Sequence, residues 1–91
     1  MKKSVRLLIS GSLQPMFYNE YIKKNADILN LRGYLRNLED GRVEVFLEGD
    51  MKAIEEMLEV CKQGPYNTQI RNIERKEERY QDFKDFRVMR I

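Results

Sequence analysis

The chain has 91 residues, a length that suits one small domain and is too short for two. Its 17 Lys and Arg against 15 Asp and Glu leave a net charge of +2, which gives no electrostatic argument for a nucleic-acid or membrane partner. It has no histidine, which excludes histidine-based general-base catalysis and a histidine-ligated zinc site.

The first predicted element is a strand over residues 3–10. Val5, Leu7 and Ile9 alternate with their neighbours and give this strand one strongly apolar face. Gly11 is expected to end it. Residues 12–17 predict a connection outside regular structure, since Pro15 cannot donate a hydrogen bond to a sheet.

Helical periodicity follows from about residue 17 to about residue 30, with apolar side chains at helical spacing such as Tyr18, Ile22 and Ala26. A short strand over residues 34–38 comes next. Asp40-Gly41 then predicts a hairpin turn into a strand with Val43, Val45 and Leu47 facing inward.

Asp50 is the predicted N-cap of a second helix, which would bury Ile54, Met57 or Leu58, and Cys61 and would stop at Gly64-Pro65. Residues 68–79 predict a strand, and the odd spacing of Ile70 and Ile73 indicates a bulge in it. A last short strand is expected around residues 86–89.

The element order is therefore β-α-β-β-α-β with an extra strand at the end. Two helices on one face of a largely antiparallel sheet satisfy this order, so we expect an α+β, ferredoxin-like plait that forms a single domain over residues 1–91. A lone cysteine, Cys61, excludes an intrachain disulfide, and the apolar stretch near the start is too short for a signal sequence. The expected location is the cytoplasm, with no membrane association.

Two segments carry a family resemblance. Gly11-Ser12-Leu13-Gln14-Pro15-Met16-Phe17-Tyr18-Asn19 resembles the acylphosphatase signature Gly-Arg-Val-Gln-Gly-Val-x-Phe-Arg. Gly33-Tyr34-Leu35-Arg36-Asn37-Leu38-x-Asp40-Gly41 closely resembles the second signature of that family, Gly-Trp-Val-Arg-Asn-x-x-Asp-Gly. The register between the two is kept without a gap, and the resemblance extends from about residue 5 to residue 89.

The resemblance implies an acylphosphatase-like α/β plait that hydrolyses the carboxyl-phosphate bond of acyl phosphates without metal or cofactor. It implies that Asn37 orients the attacking water and that Asn19 stands where the family has its catalytic arginine. Phosphate or an acyl phosphate is the expected ligand, and a monomer without a nucleic-acid partner is the expected state. The backbone of one loop would bind the phosphoryl group, and its residues are Ser12, Leu13, Gln14, Pro15, Met16, Phe17 and Tyr18.

Three residues of the first segment depart from the signature of the family. Asn19 has no charge and no bidentate fork, and a placed arginine is worth roughly 10³ to 10⁵ in the rate of phosphoryl transfer. Pro15 replaces a glycine and lacks a backbone N–H, and Ser12 replaces a further arginine. The departures predict weak or lost activity, that is, a pseudoenzyme.

Two alternatives stay open. One is a non-catalytic binding module on the same fold, and the other is an active acylphosphatase with a relocated cation. Arg32, Lys23 and Lys24 are candidates for that cation only by their nearness in sequence. Arg36 adjoins Asn37 but should point to the opposite face of its strand.

Overall fold

The computed structural model describes residues 1–89, so the predicted domain end at residue 91 lies outside the described residues. Five strands and two helices occur there in the order β-α-β-β-α-β-β, as expected from the sequence. They are β1 (Lys2–Ser12), α1 (Pro15–Ile28), β2 (Arg32–Asn37), β3 (Val43–Asp50), α2 (Met51–Gln63), β4 (Gln69–Glu78) and β5 (Phe86–Met89).

The strands form one mixed sheet in the order β4-β1-β3-β2-β5. Each neighbouring pair is antiparallel except β2 and β5, which run parallel. Paired residues of neighbouring strands form rows across the sheet. In one such row Val43 of β3 lies between Ile9 of β1 and Asn37 of β2. The α+β, ferredoxin-like plait predicted from the sequence is confirmed.

Both helices lie on the same face of the sheet. Tyr18 of α1 donates its hydroxyl hydrogen to the carbonyl oxygen of Cys61 in α2 at 3.0 Å, and Tyr21 does the same to Val60 at 3.0 Å. Between helices and sheet lies one apolar core, as expected from the alternation along each strand. Its buried members include Val5, Leu7, Ile9, Tyr18, Ile22, Ala26, Leu31, Leu35, Val43, Val45, Leu47, Ile54, Met57, Cys61 and Phe86.

The opposite face of the sheet is covered in part by the segment between β4 and β5. Phe83 of this segment packs edge-on against Tyr34 and Phe46, with ring centroids 5.8 and 5.3 Å apart. Phe46 is buried as a result. The carboxylate of Glu48 is also buried and accepts hydrogen bonds from the backbone N–H groups of Gln81 and Phe83.

Several predicted boundaries hold. Asp50 caps α2 by accepting from the N–H of Lys52 at 3.2 Å, and Gly64 follows the last helical residue. The predicted bulge lies in β4 opposite Ser10 and Gly11, where the register to β1 shifts. Of the two alternatives for the buried position in α2, Met57 is fully buried and Leu58 only partly.

No helix in the described part of the chain is both long and apolar enough to span a membrane.

Candidate active site

The connection between β1 and α1 is shorter than the sequence predicted. Strand β1 continues to Ser12 and helix α1 begins at Pro15, so Leu13 and Gln14 alone lie outside regular structure. The predicted start of the helix near residue 17 was wrong because proline suits the first helical position, where its missing N–H would have no partner in any case. Pro15 to Tyr18 therefore form the first turn of α1 rather than an irregular loop.

The glycines that open the two signatures both allow close backbone contacts. A Cβ on Gly11 would lie against the carbonyl oxygen of Gln69 in β4. A Cβ on Gly33 would lie against the carbonyl oxygen of Phe46 in β3, and its φ of +136° is one that other residues rarely adopt. These positions explain the glycines through packing rather than through contact with a ligand.

Two backbone donors are left at the N-terminus of α1. Tyr18 makes the first helical bond, from its N–H to the carbonyl oxygen of Gln14 at 2.9 Å. Met16 and Phe17 precede that bond, so their N–H groups have no partner within the helix. Their side chains are exposed, and the helix dipole makes this end of α1 favourable for an anion.

The side chain of Tyr18 points away from this end. It is fully buried, and its hydroxyl donates to Cys61 of α2. Burial raises the pKa of Tyr18 far above its ordinary value, so the hydroxyl stays protonated and keeps donating. Tyr18 thus fixes the rotation of α1 and places the next residue, Asn19, on the rim of the core.

Asn19 and Asn37 line the same cavity, which has a volume of about 700 Å³. The sheet explains how they meet. Strands β1 and β2 flank β3 and run in the same direction. The end of β1 that leads into α1 and the end of β2 at Asn37 therefore lie at the same end of the strands. Apolar side chains of Met16, Val88 and Met89 form a further part of the wall.

One polar atom of the Asn19 side chain lacks a hydrogen bond in the described part of the chain. Its Oδ1 atom is buried and has no hydrogen-bond partner within residues 1–89. A carboxamide can present either its acceptor oxygen or its donor nitrogen by a half-turn of the terminal torsion. Asn19 can therefore offer a neutral hydrogen bond to a ligand in the cavity, but not a charge.

Two charged residues also line the cavity, Lys23 and Glu20 of α1. The sequence named Lys23 only for its nearness to Asn19, and it gave no role to Glu20. Their opposite charges cancel, so the described wall brings no net charge to an anion. The helical period places Lys23 on one face with Asn19 and Glu20 on one face with Met16, but it does not show that these faces line a cavity.

The other cations named from the sequence lie elsewhere. Arg36 pairs with the buried carboxylate of Glu44 at 2.7 Å, on the face of the sheet away from the helices. Arg32 donates to the hydroxyl of Tyr80 at 3.0 Å and lines a different cavity. Lys24 is exposed and is not part of the Asn19 cavity wall.

Of the predicted phosphate loop, Met16 lines the cavity, while Ser12, Leu13, Gln14, Pro15, Phe17 and Tyr18 do not line it within the described chain. Pro15 has no N–H and that of Tyr18 bonds the carbonyl oxygen of Gln14, so neither offers a backbone donor to a ligand. The same described range holds no group of three or more Cys, Asp or Glu side chains arranged for a metal ion.

Comparison with known proteins matches this chain to one family over most of its length. The family model described as acylphosphatase matches residues 5–88. An acylphosphatase of Methanocella arvoryzae is 44% identical over 71 residues, which cover 78% of this chain and 81% of the relative. One of Caldanaerobacter subterraneus subsp. tengcongensis is 37% identical over 89 residues, covering 97% and 99%.

A solved structure of an acylphosphatase from Coxiella burnetii superposes with a TM-score of 0.91 at 31% identity, covering 97% of this chain and 93% of that one. The match thus extends over both signatures, the sheet edge where they meet and both helices. The chain belongs to the acylphosphatase family.

Proposed function

We propose that this protein hydrolyses the carboxyl-phosphate bond of acyl phosphates in the cavity lined by Asn19 and Asn37, at a rate far below that of relatives with arginine at position 19. The observation that carries the proposal is the meeting of these two residues, one from each signature, in one cavity. The protein would act as a single domain over residues 1–91 and as a monomer.

The reaction needs a positioned water and a stabilised phosphoryl group. Asn37, held at the end of β2, would orient the water, whose oxygen attacks phosphorus. The bond between phosphorus and the carboxyl oxygen breaks, the electron pair leaves with the carboxylate, and both protons of the water end on orthophosphate. Loose transition states of this kind depend on placed charge more than on covalent help.

The groups that would bind the phosphoryl group offer hydrogen bonds but little positive charge, so we expect low affinity for an anion. The N–H groups of Met16 and Phe17 and the carboxamide of Asn19 offer hydrogen bonds, and an anion must lose hydration to reach them. We therefore expect phosphate to bind with millimolar affinity or worse. Turnover is expected to be at least about a thousandfold lower than in a relative with the arginine.

Other parts of the proposal follow from composition. A net charge of +2 gives no support to a nucleic-acid partner, and neither metal nor cofactor takes part in the steps above. Cys61 is a free, buried thiol, which suits a reducing compartment such as the cytoplasm.

Steady-state hydrolysis of benzoyl phosphate tests the proposal. We expect the wild type to exceed the uncatalysed rate, Asn37→Ala to return it to that rate, and Asn72→Ala, an exposed asparagine in β4, to leave it unchanged. Turnover equal to that of arginine-bearing relatives would contradict the reduced rate. A folded wild type with no hydrolysis would contradict catalysis and favour a binding module.

A further inference from the structure

Lys23 lies one helical turn after Asn19 on the same face of α1, and both line the cavity that contains Asn37. Its side chain is 41% exposed, so the stem lies along the wall while the ammonium group reaches solvent. Of the four cations considered near the site, Lys23 is the one that shares the cavity with both asparagines.

The present partner of Lys23 does not prevent a role in binding. Its Nζ lies 2.7 Å from Oδ2 of Asp27, a residue whose side chain is itself 53% exposed. Exposed pairs of this kind contribute little to stability, because solvent screens the two charges. A phosphoryl group with two negative charges can compete for the ammonium, which sits on a flexible four-carbon stem.

We propose that Lys23 is the cation that holds the phosphoryl group in this chain, in place of the arginine absent at position 19. The chemical part of this inference rests on the proposed function, but the binding part does not. Lys23 supplies a point charge, and the carboxamide nitrogen of Asn19 supplies a neutral donor. Together they lack the planar, bidentate fork of a guanidinium, which accounts for reduced rather than lost activity.

Glu20 works against Lys23. It lines the same cavity from the adjacent position after Asn19, and its carboxylate repels an anion there. Removing its charge should therefore strengthen phosphate binding, which gives the inference a test of opposite sign.

Binding of inorganic phosphate, followed by the amide NMR signals of Met16 and Phe17, is the primary test. Lys23→Met should weaken binding about tenfold, which corresponds to about 1.4 kcal/mol. Lys23→Arg should keep it, and Glu20→Gln should strengthen it severalfold. Lys24→Met is the matched control, because it removes the same charge from the neighbouring residue outside the cavity and should change binding little.

Hydrolysis of benzoyl phosphate separates the two proposals. Lys23→Met should lower kcat/KM in the wild-type background but have little effect in Asn19→Arg, where arginine takes over the charge. Such coupling is expected between residues that serve one anion. If hydrolysis is absent but phosphate binding depends on Lys23, the proposed function fails and the assignment of Lys23 stands.

Two results would overturn the assignment. One is a Lys23→Met variant that binds phosphate and hydrolyses substrate as Lys24→Met does. The other is a wild type whose amide signals do not respond to phosphate at any concentration. Lys23→Arg guards against a folding artefact, because it changes the same side chain but keeps the positive charge.

Discussion

Asn19 and Asn37 line one cavity because α1 starts at the sheet edge where β2 ends. Tyr18 fixes the rotation of α1 through its bond to Cys61, and the row that joins Asn37 to Val43 and Ile9 fixes the end of β2. The scaffold that places the two carboxamides is thus complete, while the charge at position 19 is missing.

The tyrosines of α1 should stabilise the fold unequally. Tyr18 is fully buried and satisfies the carbonyl of Cys61, so Tyr18→Phe should cost about 1–3 kcal/mol. Tyr21 donates to Val60, whose carbonyl also accepts from the N–H of Gly64 at 3.1 Å, so Tyr21→Phe should cost less. Urea unfolding measures both, and an equal or larger cost for Tyr21→Phe would contradict the account.

The stability of the fold should depend on the two acceptor oxygens of the Glu48 side chain. It is fully buried and accepts from the hydroxyl of Ser4 at 2.9 Å as well as from the N–H groups of Gln81 and Phe83. In Glu48→Gln one acceptor oxygen becomes a donor that faces another donor. We expect a loss of about 2–3 kcal/mol in unfolding free energy, with faster amide exchange at Gln81 and Phe83.

The control for this variant is Glu56→Gln on the exposed side of α2, where the same change should stay within about 0.5 kcal/mol. Similar stabilities for the two variants would show that Glu48 does not hold the segment that carries Phe83.

The thiol of Cys61 should make the free energy of unfolding depend on pH. Burial raises the pKa of its thiol from 9.0 to about 12. The folded state therefore holds the proton more tightly than the unfolded state. The resulting stability is present below about pH 9 and is lost as pH rises from 9.0 towards about 12.

Comparison of wild type with Cys61→Ala in urea isolates this contribution. The difference in their unfolding free energies should shrink as pH rises above 9.0, because the variant has no thiol to titrate. A difference that stays constant over this range would show that the thiol does not titrate with a raised pKa in the folded state.

Much of the fold could be predicted from the sequence, because alternation and helical spacing are local signals. Val5, Leu7 and Ile9 marked the core face of β1, and Asp50 and Gly64 marked the two ends of α2. The start of α1 was placed too late because Pro15 was interpreted as a breaker within a loop. A proline at the first position of a helix produces the same sequence signal.

The candidate site was only partly predictable. The two signatures predicted that Asn19 and Asn37 belong to one site. No pattern, however, distinguished Lys23 from Lys24 or Arg32 as the cation of the cavity. That choice depends on the rotation of α1, which Tyr18 sets by a contact to Cys61 far along the chain. The covering of Phe46 by Phe83 is likewise a tertiary contact that no local pattern signals.

The central claim is that this site is an acylphosphatase site whose charge at position 19 is missing. The ratio of kcat/KM for benzoyl phosphate between Asn19→Arg and wild type tests it most directly. A guanidinium there would supply charge and a bidentate fork, so we expect a rise of about a hundredfold or more, abolished by adding Asn37→Ala. A folded Asn19→Arg variant that binds phosphate but hydrolyses benzoyl phosphate no faster than the wild type would contradict the claim.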